Sequence, residues 1–175
     1  MTVRTHALAL LLACLPLAPL GAQMNAGRGA GLPNDGRIPS AWHLDQCIGG
    51  ITYGGPHKLA LSYGGGLLRE SMTNGDDTCL MAVGKVGLGA ASASFGVGRS
   101  IGSIGSGVAI TGGVLRTFGG ALNATPRRTY AGASAHLWPL LAIGGEIGYY
   151  VRIGDASGAS EHQRRIITWS AGFGF

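Results

Sequence analysis

The stretch "LLAIGGEIGYYVRIG" (140–154) alternates with a period of two. Its odd positions hold Leu141, Ile143, Gly145, Ile147, Tyr149, Val151 and Ile153; its even positions hold Ala142, Gly144, Glu146, Gly148, Tyr150 and Arg152. Side chains change face at every residue in a strand and not in a helix, so the pattern demands a sheet with one apolar face. The alternation recurs. "HKLALSYGGGLLR" (57–69) puts Leu59, Leu61, Tyr63 and Leu67 on one face. "CLMAVGKVGLGA" (79–90) sets Leu80, Val86 and Leu88 opposite Lys85. "IGSGVAITGGVLRTF" (104–118) aligns Ile104, Val108, Ile110, Val114 and Phe118. With "CIGGITYGG" (47–55), "ASFGVGRS" (93–100), "RTYAGASAHLWP" (128–139) and "RRIITWSAGFGF" (164–175), the chain offers eight candidate strands. Polar turn chemistry at 69–78, 119–128 and 154–163 separates them. Pro139 falls between two strand patterns, where a turn tolerates it and a ladder does not.

Nothing here predicts a membrane helix: beyond the N-terminus no stretch approaches 18 apolar residues. The N-terminal "MTVRTHALALLLACLPLAPLGAQ" has Arg4, an apolar run from Ala7 and a small-residue end at Gly21-Ala22. It reads as a signal peptide over 1–22, cleaved after Ala22. A membrane anchor is the other reading, opposed by Pro16 and Pro19; a lipobox in "LLAC", with Cys14 lipidated, is a third. Residues 23–46 are rich in Gly, Pro and Asn and read as a flexible leader, so the domain expected is 47–175. Charged residues are 12% of the chain, about half the usual share. The formal net charge of +5 falls by one with the signal peptide, too mild a balance to argue for nucleic acid. Export places Cys47 and Cys79 in an oxidising compartment, where a disulfide is the default and two buried thiols the alternative. Neither lies in a CxxC, and no His pair has metal-ligand spacing, so no metal or cofactor is expected.

Alternation alone does not say which face meets what. A water-soluble sandwich or barrel hides its apolar face; an outer-membrane barrel turns it to lipid. Three features favour the second. The apolar faces run long enough to cross a bilayer's core at a tilt. The opposite faces are mostly Gly, Ala and Ser. Phe118, Tyr130, Trp138, Trp169, Phe173 and Phe175 sit at strand ends, where aromatic girdles belong. A soluble Gly-rich β-protein of the periplasm is the competing reading, and a Gly-rich fibril former a lesser one.

The ending Trp169-Ser-Ala-Gly-Phe-Gly-Phe175 resembles the C-terminal signal of bacterial outer-membrane β-barrels. From about residue 47 the chain is similar in texture and length to the small, eight-stranded members of that superfamily. The resemblance implies an all-β, single antiparallel up-and-down transmembrane barrel of about eight strands. It implies residence in the outer membrane, contact with lipid and lipopolysaccharide, and recognition of Trp169, Phe173 and Phe175 by the barrel-assembly machinery. Counting back from Phe175, 154–163 and 119–127 become outer loops, and the Pro139 turn and 100–104 periplasmic ones.

That topology sorts the chemistry. Arg116, Arg127, Arg128, Arg152, Arg164 and Arg165 fall at outer strand ends, a basic rim suited to phosphate, with Asp155 and Glu161 nearby as the bland alternative of solubilising charge. Glu146 and Arg152 share the inner face of one strand, and Lys85 joins them as a lumen ion pair or, alternatively, a narrow ion path. Ser134 and His136, two apart, with Glu146 on a neighbouring strand, form a Ser/His/acid set of the type used in acyl transfer. Small outer-membrane lipid A deacylases also carry Ser and His two apart. The order here is Ser-x-His, and His136 falls near the periplasmic end. His43, His57 and His162 read as isolated leader or loop residues. The function expected is a non-enzymatic barrel with a structural, surface-interaction or limited solute-passage role; a lipid A-modifying enzyme is the remote alternative.

Overall fold

The computed structural model describes residues 42–69, 77–101, 106–140, 143–154 and 164–174. Residues 1–22, read above as a signal peptide, with Cys14, and residues 23–41, Asp155, Glu161, His162 and Phe175 lie outside them. Eight strands follow one another: β1 (His43–Gly55), β2 (Lys58–Arg69), β3 (Thr78–Gly87), β4 (Ala90–Ile101), β5 (Ser106–Thr117), β6 (Thr129–Leu140), β7 (Ile143–Ile153) and β8 (Arg165–Phe173). Each pairs antiparallel with the next, and β1 pairs with β8 to close a barrel. Closure is made by Ile51–Gly55 against Trp169–Phe173. We call the end where β1 starts and β8 stops the terminal end, and the opposite one the far end.

The eight expected strands form, with shifted bounds: β1 and β4 start early, β3 stops at Gly87, and β6 runs on to Leu140, so β7 starts at Ile143 and Pro139 lies inside β6, at a break in its ladder, and not in a turn. β1 begins at His43, so His43–Gln46 belong to the barrel and not to the leader. The reason is a register shift between Gln46 and Ile48, which leaves Cys47 as an extra residue. A bulge of this kind inverts the phase of the alternation and hides the strand's first turn from a period-two reading. β4 begins at Ala90, three residues early, because "AAS" carries no large side chain to mark its phase.

The outward face is apolar on every strand. Ile51, Leu61, Leu80, Phe95, Ile110, Leu137, Ile147 and Ile167 are all exposed, Phe95 by 72%. The charged side chains on that face, Arg69, Arg99, Arg116 and Arg165 among the described residues, stand at strand ends. Inside, an eight-stranded barrel leaves a bore that side chains just fill. Ile48, Cys79, Met81, Val83, Ala109 and Trp138 pack one apolar cluster toward the terminal end. Ala90, Leu115, Tyr130, Tyr150 and Ile166 pack a second toward the far end.

Tyr130 and Trp138 therefore do not belong to an outer girdle. Tyr130 is 0% exposed and Trp138 is 7% exposed. Both occupy the inward parity of β6, whose outward face is Ala131, Ala133, Ala135 and Leu137. Trp138 faces Gly107 across the ladder, and its indole occupies the space where a Cβ on Gly107 would stand. A bulky inward ring needs such a bare neighbour in so narrow a bore.

The far mouth is roofed by residues 118–128 between β5 and β6. The Phe118 amide donates to the Gly89 carbonyl (2.8 Å) and the Leu122 amide to the Pro56 carbonyl (3.3 Å). Thr117 is fully buried; its hydroxyl donates to the Thr125 carbonyl (2.7 Å) and accepts from the Arg128 amide (2.9 Å). Ala124 packs on the far cluster from above.

Candidate functional site

Between the two apolar plugs the barrel carries a polar belt. Lys85 on β3 and Glu146 on β7 form an ion pair, with side chains 6% and 11% exposed. In a barrel of eight strands β3 and β7 stand four strands apart, so the pair crosses the bore. Lys85 Nζ also donates to Ser170 Oγ at 3.2 Å, and Ser170 Oγ donates to Glu146 Oε2 at 3.4 Å. Two charges taken out of water need this arrangement, since either alone would carry a desolvation cost of several kcal/mol.

Around the pair, His57 Nε2 lies 3.1 Å from Ser92 Oγ, and His136 Nε2 lies 2.9 Å from Thr111 Oγ1. Ser134 Oγ and the Tyr150 hydroxyl are 3.0 Å apart. His57 is thus no isolated loop residue: it sits in the β1–β2 turn with its ring turned into the barrel, 6% exposed. Burial, with the Lys85 charge behind it, pushes its pKa down to about 4 against partial opposition from Glu146. Thr52 Oγ1, Tyr130 Oη, Thr168 Oγ1 and His136 Nδ1 are buried without a hydrogen-bond partner among the described residues.

Arg152 does not join the pair. It lies six residues along β7 from Glu146, opposite Tyr130. At ~3.3 Å per residue that is about 20 Å, beyond the reach of both side chains. Shared parity was legible in the sequence; separation along the strand decides the partner. The Ser134, His136 and Glu146 set does meet on one patch of wall, with His136 directly opposite Glu146. The hydroxyl of Ser134 is engaged by Tyr150, and His136 by Thr111, so the nucleophile-to-base hydrogen bond of a triad is not formed. Among the described residues no group of three His, Cys, Asp or Glu is placed to hold a metal ion.

At the far end Arg116, Arg127, Arg128, Arg152, Arg164 and Arg165 share one rim with Lys58, which the alternating pattern does not single out. Arg116 donates to Thr129 Oγ1 at 2.7 Å. The described residues of that end carry no carboxylate, whereas Asp45 and Asp77 belong to the terminal end. The only signal for Lys58 was its place just after a two-residue turn at the mouth.

Cys47 and Cys79 form a disulfide, Cα to Cα 6.2 Å, tying β1 to β3 past the intervening β2. Trp169 and Phe173 face outward from β8, and Trp169 meets Tyr53 edge-on with ring centres 6.4 Å apart. No known protein family, curated protein or solved structure matches the chain.

Proposed function

We propose that this chain is an integral outer-membrane β-barrel, exported by its N-terminal segment, that anchors in the bilayer and presents a basic rim to anionic lipid, with its bore closed. The observation that carries the reading is the outward face: large apolar side chains on all eight strands and charges confined to the two ends. Water-soluble monomers rarely expose continuous apolar surface beyond a few hundred Å². Each outward Leu, Ile or Phe moved from hydrocarbon to water costs about 1.5–3 kcal/mol. The rim of Lys58, Arg116, Arg127, Arg128, Arg152, Arg164 and Arg165 matches the phosphates of lipopolysaccharide, which guanidinium groups grip bidentately. Assembly by the barrel machinery through Trp169, Phe173 and Phe175 belongs to the same proposal. The role is structural or surface-interacting; the two apolar plugs, the cross-bore ion pair and the 118–128 roof argue against solute passage.

The test is extraction and mobility. The protein should sediment with membranes, resist salt and carbonate, dissolve only in detergent, and shift on a gel when boiled. Release as a soluble protein without detergent would overturn the reading in favour of a periplasmic β-protein. A changed lipid A mass on expression would favour the enzyme.

A further inference from the structure

Three segments of the far mouth meet at His57. Its own turn, Pro56 and His57, joins β1 to β2. The Gly89 amide of the β3–β4 turn donates to the His57 carbonyl at 2.9 Å, and the Phe118 amide of the roof donates to the Gly89 carbonyl at 2.8 Å. The Leu122 amide donates to the Pro56 carbonyl at 3.3 Å. The approach is close enough to need bare residues: a Cβ on Gly87 would run into the His57 carbonyl, and one on Gly89 into the Pro56 carbonyl. The free side of the 118–128 roof is thus tied to the His57 turn and to the β3–β4 turn that leans on it. Its root is held separately, by Thr117 through the Thr125 carbonyl and the Arg128 amide. A segment rooted at one side and tied by a few bonds at the other has the build of a hinged lid.

The ring of the same residue faces the bore. It is 6% exposed, and its Nε2 lies 3.1 Å from Oγ of Ser92, the residue that stands opposite Lys85 in the β3–β4 ladder. Lys85 from β3 and Glu146 from β7 are the charges that bear on it, and they are already matched to each other. His136 of β6 is engaged by Thr111. The roof brings only Arg127 and Arg128, both exposed, and Lys58 turns its Nζ toward Gly120. Among the described residues no further carboxylate reaches this end, so a proton on the seated ring is a buried third charge, of the same sign as Lys85 and without a counterpart. We propose that the His57 turn is an acid-released latch: uptake of a proton drives the ring out of the bore, breaks the Pro56 and Gly89 ties to the roof, and lets 118–128 swing on its Thr117 root. The far mouth then opens toward Lys85. The latch stands without the membrane reading, since every group in it belongs to the barrel itself. Burial holds the seated ring down to about 4, against 6.5 for a ring in water, so release should have its midpoint between those two values.

The experiment is a titration of the full chain, folded in detergent micelles, from about pH 7.5 to about pH 3.5, across the range in which a histidine can switch. NMR follows the His57 ring and the backbone amides. The amides of Gly89, Phe118 and Leu122 should move toward unbonded positions with the same midpoint as the ring, while those of Ile110 and Ile147, in mid-ladder, stay in place. His57→Gln and His57→Asn remove the titrating group and keep a side-chain amide that can bond Ser92. In both, the roof amides should hold their positions over the whole range. Gel mobility before and after boiling reports whether each variant is folded. A ring that takes up its proton while the roof amides stay in place would overturn the latch, and so would a ring that takes up none down to the lowest pH. Roof movement at the same pH in the His57 variants would show another trigger. Joint loss of the Ile110 and Ile147 signals with those of the roof would show unfolding of the whole barrel and no hinged lid. None of these outcomes touches the membrane reading, which rests on the outward face.

Discussion

A charge pair that spans a bore is stable only as a pair. Removing one member leaves the other buried and uncompensated, which costs about 3–5 kcal/mol, whereas replacing both by apolar residues of similar size is often neutral. We therefore expect Lys85→Met to lower the unfolding free energy of the detergent-folded protein, measured by urea titration, by that amount, and Lys85→Met with Glu146→Leu to recover most of it. If the double variant were as unstable as the single, the pair would have a role beyond mutual compensation. His57 sets a pH dependence. Its pKa is lowered on folding from 6.5 to about 4, so between those values the unfolded chain binds the proton and the folded one does not. Its contribution is complete above pH 6.5 and is lost as the pH falls toward 4, up to roughly 3 kcal/mol at about 1.4 kcal/mol per pH unit. Urea midpoints measured from pH 7 to pH 4 should fall accordingly, and His57→Asn should flatten that part of the curve.

Among the elements, β1 depends most on support from outside its ladders. Its first residues lie before a bulge, and only Ile51–Gly55 pair with β8. The Cys47–Cys79 disulfide pins this segment to β3. Closing a loop of 32 residues' separation contributes roughly 4 kcal/mol by the chain-entropy argument. Cys47→Ala with Cys79→Ala should lower stability by up to that amount. Amide exchange should rise first in His43–Gly49 and leave the β4–β7 ladders protected. Uniform loss of protection would show that the bond supports the whole barrel and not one strand. Strand β6 shows the limit of pattern reading at this scale. Its period was visible from Tyr130 and Trp138, yet which face they marked was not, because alanines fill the other parity and leave no contrast of size.

At the scale of the whole molecule the question is whether the barrel conducts. Tyr130 and Leu115 close the bore beneath the 118–128 roof, and Trp138 with Ile48 closes it toward the terminal end. Planar-bilayer recordings of the native protein should be silent. Shortening the roof together with Leu115→Ala, Tyr130→Ala, Trp138→Ala and Ile48→Ala should yield small conductance steps. Steady conductance in the native protein would contradict a packed lumen. The rim offers a second whole-molecule test. Changing Arg116, Arg127, Arg128, Arg152, Arg164 and Arg165 to Gln should weaken co-purification of lipopolysaccharide and its stabilising effect. An unchanged yield of both would reduce the rim to solubilising charge.

The amino-acid order by itself determined the eight strands and, β6 apart, their apolar face, because side-chain direction repeats every two residues whatever the partners are. It also determined that charge gathers at strand ends, since the turns and the alternation are local facts. Closure of the barrel decided the rest. It set Lys85 against Glu146 across the bore and left Arg152 about 20 Å away along its strand. It turned Tyr130, Trp138 and His57 inward, folded 118–128 over the mouth, and used the shift at Cys47 to bring β1 to β3. These outcomes depend on which strands lie opposite one another and on how much room a narrow bore leaves. Neither distance nor volume is carried by a pattern of period two.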